Sequence, residues 1–210
     1  MKFTIIVAVV SCILITSCAE KRKATFLPTH NSSDILEEIE IPNRIVDISA
    51  LSYDNKKSLY TINDELYTGF AVSYYQDSTL KEKTGIAKGK RHHKAIRWYP
   101  DGHLKEVANY HQGKLHGEKK LWSTDSTHIL ITHLNYHLGK AHGEQKQWYP
   151  TGELYKKLNL HMGIEEGIQQ AYRENGALYA NYEAKNGRIF GLKKAMLCYG
   201  LEDENIKYED

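Results

Sequence analysis

The chain is poor in cysteine, with three among 210 residues. Cys12 and Cys18 fall in or at the end of an apolar N-terminal run, so Cys198 stands alone in the remainder. A lone cysteine leaves no intramolecular disulfide available, and in "AMLCYG" it reads as a small packed residue. Phenylalanine is scarce as well, with four copies against fifteen Tyr. That balance favours half-buried strands, where an amphipathic ring faces both core and water. No stretch sustains the apolar period of a long amphipathic helix; residues 34–41, "DILEEIEI", fit a short helix at most. The formal net charge is only +2, which gives no electrostatic case for nucleic-acid binding. The nucleophile-elbow, H-E-x-x-H, P-loop and dinucleotide-binding motifs are all missing. The expectation is therefore a non-enzymatic protein with no catalytic residues and no cofactor.

What is present begins with the N-terminus. Lys2 supplies a short positive start, and an apolar stretch follows from Ile5 to Ile15. It is too short to span a bilayer comfortably and has the pattern of a secretory signal peptide. Its end, "ITSC" (Ile15 to Cys18), resembles the bacterial lipobox. The resemblance implies that residues 1–17 are removed and that Cys18 becomes an acylated N-terminus, palmitate included. Each buried methylene of such chains contributes about 0.8 kcal/mol of anchoring. Position 19 is Ala rather than an inner-membrane-retaining Asp, and no acidic cluster follows. The expected location is the periplasmic face of the bacterial outer membrane. Residues 18–34 are polar with one Pro and read as the lipidated N-terminus and tether.

Residues 35–66 hold short apolar runs between turn formers and read as N-terminal capping strands. Then a repeat begins. Gly69, His93, Gly117, Gly143, Gly167 and Gly191 are separated by 24, 24, 26, 24 and 24 residues. Five residues after each stand Tyr74, Trp98, Trp122, Trp148, Tyr172 and Met196; nine after each stand Ser78, Gly102, Ser126, Gly152, Gly176 and Gly200. A second turn glycine recurs at Gly89, Gly113, Gly139, Gly163 and Gly187. "YPDG", "YPTG" and "RENG" are tight-turn sequences, and strand-length runs lie between the two kinds of turn. Each unit is thus a β-hairpin, and short connections at both ends make neighbouring strands antiparallel. The expected fold is all-β, an elongated antiparallel sheet of tandem β-hairpin repeats with a period of about 24 residues. One hairpin is marginal alone, so stacked units are expected to share a core. The repeats run over 67–200, and 201–210 form a C-terminal tail. His93 stands where the other units have glycine, so a different local backbone or a bulge is expected there.

The phrases "HGEKKLW", "HGEQKQWYPTGELYKKL" and "WYPDGHLKEVANYHQGK" resemble the bacterial variant of the MORN repeat, found in lipoproteins and in chains labelled YwqK-type antitoxins. The resemblance implies a sheet of hairpins without catalytic residues, used for scaffolding and oligomerisation.

Two sets of candidate site residues emerge. Six of the eleven His fall at repeat-equivalent positions. Across one turn, His111 is expected to face His116, and His137 to face His142. Either pair would supply half a metal site or a pH-sensitive edge; the alternative is that His merely suits a turn-flanking strand position. The column Tyr74, Trp98, Trp122, Trp148, Tyr172 is read as core. Tyr75, Tyr99 and Tyr149 alternate to the other face and form a candidate exposed aromatic strip. The functional expectation is a membrane-anchored scaffold that binds an unidentified envelope protein, with metal handling or polysaccharide binding as alternatives. Open sheet edges also offer pairing with a second copy.

Overall fold

The computed structural model describes residue 36, residues 38–192, and the pairs 201–202 and 205–206. The signal-peptide, Cys18 and tether expectations lie outside the described residues, as do Met196, Cys198 and most of the C-terminal tail. The chain divides into Met1–Glu37 and Glu38–Asp210, and every described strand belongs to the second unit.

The turn chemistry builds a meander. The first hairpin is β5 (Gly69–Tyr74) and β6 (Leu80–Ala87), the second β7 (Lys90–Trp98) and β8 (Leu104–His111), the third β9 (Lys114–Trp122) and β10 (Leu130–His137). The fourth is β11 (Lys140–Ala141), β12 (Gly143–Trp148) and β13 (Leu154–His161). The fifth is β14 (Ile164–Glu165), β15 (Gly167–Tyr172) and β16 (Leu178–Lys185), followed by β17 (Arg188–Leu192). All belong to one 14-stranded sheet whose neighbours follow chain order. Its hairpins are antiparallel, but β1 (Ile45–Asp47) joins β5 in parallel. That strand reaches the edge through a separate three-stranded sheet, β2 (Ser52–Asp54), β3 (Leu59–Ile62) and β4 (Glu65–Leu66), rather than through a tight turn. The pairs 201–202 and 205–206 make a small hairpin of their own. Among the described residues the helical content is the 3-10 turn Ile48–Ala50; no helix there is long and apolar enough to cross a membrane. Residues 38–41 are irregular, not helical.

Two turn types alternate. The turn within the second hairpin closes with Gly102 N–H donating to Tyr99 C=O at 2.9 Å. The Asp101 carboxylate accepts from His103 N–H at 3.0 Å, and Asp77, Asp125 and Asn175 do the same for Thr79, Thr127 and Ala177. In the third hairpin two extra residues lengthen this turn. The left-handed position is then taken by His128 (φ 46), not by the expected Ser126. The turn between hairpins has positive φ at two successive residues, as at Gln112–Gly113, Leu138–Gly139 and Met162–Gly163. That is the two-residue turn whose twist matches antiparallel strands.

The strands that leave these turns in the second to fifth hairpins carry a bulge at the repeat anchor, whereas β17 keeps an unbroken register through Gly191. Gly117, Gly143 and Gly167 have φ of 84° to 85°, and the register slips opposite them, as between Ala108 and Tyr110. His93 does not depart from this. It takes φ 58 at the same point of its strand, where the register also slips. The conformation belongs to the bulge, and His tolerates it better than a β-branched residue would.

The apolar core is not shared along the repeats, as stacking would predict. It is a single cluster, Tyr60, Tyr67, Ala71 and Ile86, flanked by Val46, Ile48, Leu51 and Ile62, between the capping strands and the first hairpin. Tyr67 is 1% exposed, and its hydroxyl lies 3.1 Å from the carbonyl oxygens of both Arg44 and Phe70. A Cβ on Gly69 would meet that hydroxyl at 2.5 Å, so only glycine lets the strand pass. In the later hairpins the buried residues are small or polar, Ala95, Ala108, Ser123, Gln145, Gln169, Ala171, Ala180 and Ala184, with two rings, His92 and Tyr182.

Candidate functional site

Polar bonds replace a core between hairpins. At each bulge the strand is pushed out of its ladder, and at the Gly143 and Gly167 bulges one buried glutamine each, Gln145 and Gln169, fills the gap. Gln145 accepts from Asn135 N–H at 3.1 Å and donates to Asn135 C=O at 2.9 Å. Gln169 repeats this with Asn159 at 3.1 and 2.7 Å. Each side chain thus supplies the acceptor that the strand's N–H lacks and a second donor to its C=O, which also accepts from His142 or Glu166 N–H at 2.9 and 3.0 Å.

The histidines perform a related task. Nδ1 of His92, His116 and His142 accepts from the backbone N–H of Gln112, Leu138 and Met162, at 3.2, 3.4 and 3.4 Å. The next N–H of each turn, from Gly113, Gly139 and Gly163, donates to Arg91, Leu115 and Ala141 C=O at 2.7 Å. Both otherwise orphaned turn donors are therefore caught by the preceding strand. His111, His137 and His161 sit beside these rings on the neighbouring strands. The result is one row of imidazoles, His93–His92–His111–His116–His137–His142–His161, with ring centroids 4.6, 4.9, 6.1, 5.2, 5.8 and 5.0 Å apart.

The two expected pairs, His111 with His116 and His137 with His142, lie within this row, yet each member has a nearer partner on its other side. Two interleaved columns, each with one His per hairpin, merge into a row with one per strand. The spacing within either column conceals this. Because Nδ1 of His116 and His142 accepts a hydrogen bond, their neutral rings carry the proton on Nε2. An ion bound there would have to reverse the tautomer and break the turn bond. Burial, with His137 and His111 alongside, holds the His116 imidazole below its ordinary pKa.

The aromatic residues divide differently from the sequence expectation. In the column, Trp98, Trp122, Trp148 and Tyr172 are half-buried and Tyr74 is 52% exposed. Equivalent strands lie about 9.6 Å apart, too far for these rings to stack on one another. Tyr75, Tyr99 and Tyr149 are half-buried and tie successive hairpins together. Their hydroxyls donate to the carbonyls of Trp98, Trp122 and Tyr172 at 2.8, 2.9 and 2.9 Å. Lys81, Lys105 and Tyr155 lie against the three rings at 5.6, 5.4 and 4.9 Å.

A group absent from the sequence expectations sits at the opposite end of the strands. Among the described residues, Asp101, His103 and His128 form the one set of three ligand-type side chains, with ligand atoms within 4.8 Å of one another. The His103 and His128 rings stack at 3.8 Å with planes 8° apart. Asp101 Oδ1 is 3.3 Å from His103 Nδ1, and Oδ2 is 3.2 Å from His128 Nε2. His128 Nδ1 is buried with no hydrogen-bond partner. The signal that could have located this group is the 26-residue unit, whose two extra residues carry His128 over the neighbouring turn.

One groove, of about 720 Å³, lies where residues 38–41 cross the sheet, lined by Glu38, Glu40, Phe70, His93 and Lys94. His93 Nε2 is 3.1 Å from Ile39 C=O at its edge.

Comparison with curated proteins and with solved structures finds no match. Residues 91–112 and 141–161 match the family model described as the MORN repeat variant. These segments coincide with the second hairpin and with most of the fourth, each a strand, tight turn and return strand. These two segments are therefore similar to the MORN repeat variant, and the hairpin arrangement they adopt continues on both sides of them.

Proposed function

We propose that the chain is a lipid-anchored, non-enzymatic scaffold whose sheet is held by a protein partner in the bacterial cell envelope, at the outer membrane. One observation carries this reading. All eight residues of β10 are half-buried, as are seven of the eight in β13. A sheet packed on one face alternates buried with exposed residues; in these strands that alternation is lost, and among the described residues no second layer is packed on them. Such a sheet keeps its order through edge bonds and offers whole strands of side chains to another surface. Charge pairs on the sheet add recognition chemistry: Arg97 lies between Glu82 and Glu106 of the neighbouring strands at 3.3 and 3.5 Å, and Glu118 between Lys120 of its own strand and His133 of the next at 2.8 and 3.0 Å. Rim charges of this kind steer partners more than they stabilise the fold. The anchor rests on the lipobox-like "ITSC" ending at Cys18.

The test uses a photo-crosslinking residue at Gln147, half-buried on β12, in the full chain expressed in bacteria. The expected result is one discrete adduct to an envelope protein, with Cys18→Ser abolishing palmitate labelling and membrane fractionation. Adducts only to a second copy of the chain would replace the partner reading with self-association. Unchanged fractionation of the Cys18 variant would remove the anchor.

A further inference from the structure

We propose that Asp101, His103 and His128 form a binding site for one divalent transition-metal ion. The repeat itself singles out the place. Every other intra-hairpin turn holds its left-handed position with Gly or Ser: Ser78, Gly102, Gly152 and Gly176. Only the third hairpin is longer, and it places His128 there at φ 46, a conformation that costs a non-glycine residue about 1 kcal/mol. The side chain so placed is only 15% exposed and lies over the turn of the preceding hairpin. It meets there an Asp and a His whose own backbones are fixed. Asp101 accepts from His103 N–H within its turn, and that turn is closed by Gly102.

The chemistry of the donor set is specific. Two imidazoles and one carboxylate suit Zn²⁺, Ni²⁺ or Cu²⁺ rather than Ca²⁺ or Mg²⁺. Three protein ligands leave room for water, the arrangement of an open rather than a closed zinc site. Asp101 faces both rings, with Oδ1 towards His103 and Oδ2 towards His128. His128 Nδ1 is buried without a hydrogen-bond partner, while Nε2 lies 3.2 Å from Asp101 Oδ2. In the parallel stack the two rings do not both aim at one point, and closure on an ion at about 2.0–2.1 Å from each nitrogen requires one ring to tilt. His103, 58% exposed, is the ring with space to turn, while His128 and Asp101 stay put.

The site is separate from the imidazole row, which lies at the other ends of the strands and whose bulge histidines commit Nδ1 to the backbone. The proposal also does not depend on the scaffold reading.

Isothermal titration of the purified full chain with Zn²⁺, repeated with Cu²⁺, tests it. The expected result is about one ion per chain. His103→Ala and His128→Gly should each weaken binding at least tenfold, roughly the loss seen when one ligand of a small site is removed. Glycine suits the backbone at position 128, so circular dichroism should show that variant folded. Asp101→Asn retains the turn bond to His103 N–H and should also weaken binding. A double variant of the row, His111→Gln with His137→Gln, should bind like the parent. Absence of binding would overturn the proposal, and so would binding that survives His103→Ala and His128→Gly or that is lost in the row variant. With Cu²⁺, nitrogen hyperfine structure from two imidazoles should appear in the parent and from one in His103→Ala; an unchanged spectrum would contradict the assignment.

Discussion

Two regions of the sheet hold together by different means. Around the first hairpin, Tyr60, Tyr67, Ala71 and Ile86 are buried against the capping strands, and stability there comes from removing apolar surface from water. In the third and fourth hairpins, Gln145 stands in for missing backbone partners, imidazoles catch turn amides, and β10 and β13 are half-buried almost throughout. The difference teaches how a single-layer repeat can exist. A hairpin without a second layer cannot bury its strands, so the array needs one apolar end to nucleate on and a polar bonding scheme that each unit can copy.

The largest effect should come from breaking the apolar end. Tyr67→Ala removes a ring that is 1% exposed and should cost about 3–5 kcal/mol, unfolding the array in a urea titration rather than loosening one hairpin. Tyr67→Phe, which keeps the ring, should cost far less. In the polar region, Gln145→Ala leaves the N–H of Asn135 without its partner, while Asn135 C=O keeps His142 N–H at 2.9 Å, and should cost about 2 kcal/mol. Its signature is local: amide exchange should quicken in β10 to β12 while the first hairpin stays protected.

Smaller changes sharpen the contrast. Tyr99→Phe removes the hydroxyl bond to Trp122 C=O and should cost about 1 kcal/mol. Leu138→Asn should stabilise the protein by somewhat under 1 kcal/mol, because Leu138 has φ 45 and Asn is at home in that conformation. Both are measurable as shifts in thermal midpoint.

The mildest test is pH. The His116 pKa is lowered in the fold, so the unfolded chain binds more protons. The stability this confers is fully present above the ordinary value of 6.5 and is lost as pH falls through the folded value. Protonating Nδ1 would also set an N–H against the Leu138 amide. The thermal midpoint should decline from pH 7 towards pH 5, and His116→Gln should flatten that slope.

Much of this architecture is legible in the sequence, because turns and strand lengths are local. "YPDG" and "YPTG" mark turns wherever they occur, and a fixed period leaves little choice of topology. What the sequence conceals depends on which residues meet across strands. His111 and His92 belong to different phrases of the repeat and become neighbours only through antiparallel pairing with its bulge offset. Gln145 looks like any exposed polar residue until the bulge beside it withdraws backbone partners. The Tyr99 hydroxyl reaches the next hairpin's backbone, so alternation along one strand misjudges its role. The capping strands pair out of chain order, with β1 parallel to β5, and no local signal announces that. Aligning Ser126 with the turn glycines hides His128, because it treats the two-residue insertion as though the turn's geometry stayed in place.

Native-state hydrogen exchange, read strand by strand on the full chain, tests the central contrast most directly. Slowest exchange is predicted for the amides of β3, β5 and β6 around Tyr60, Tyr67 and Ile86, with protection lower through β9 to β13. Equal protection along the sheet, or the slowest amides in the third and fourth hairpins, would contradict the division between an apolar end and a polar array.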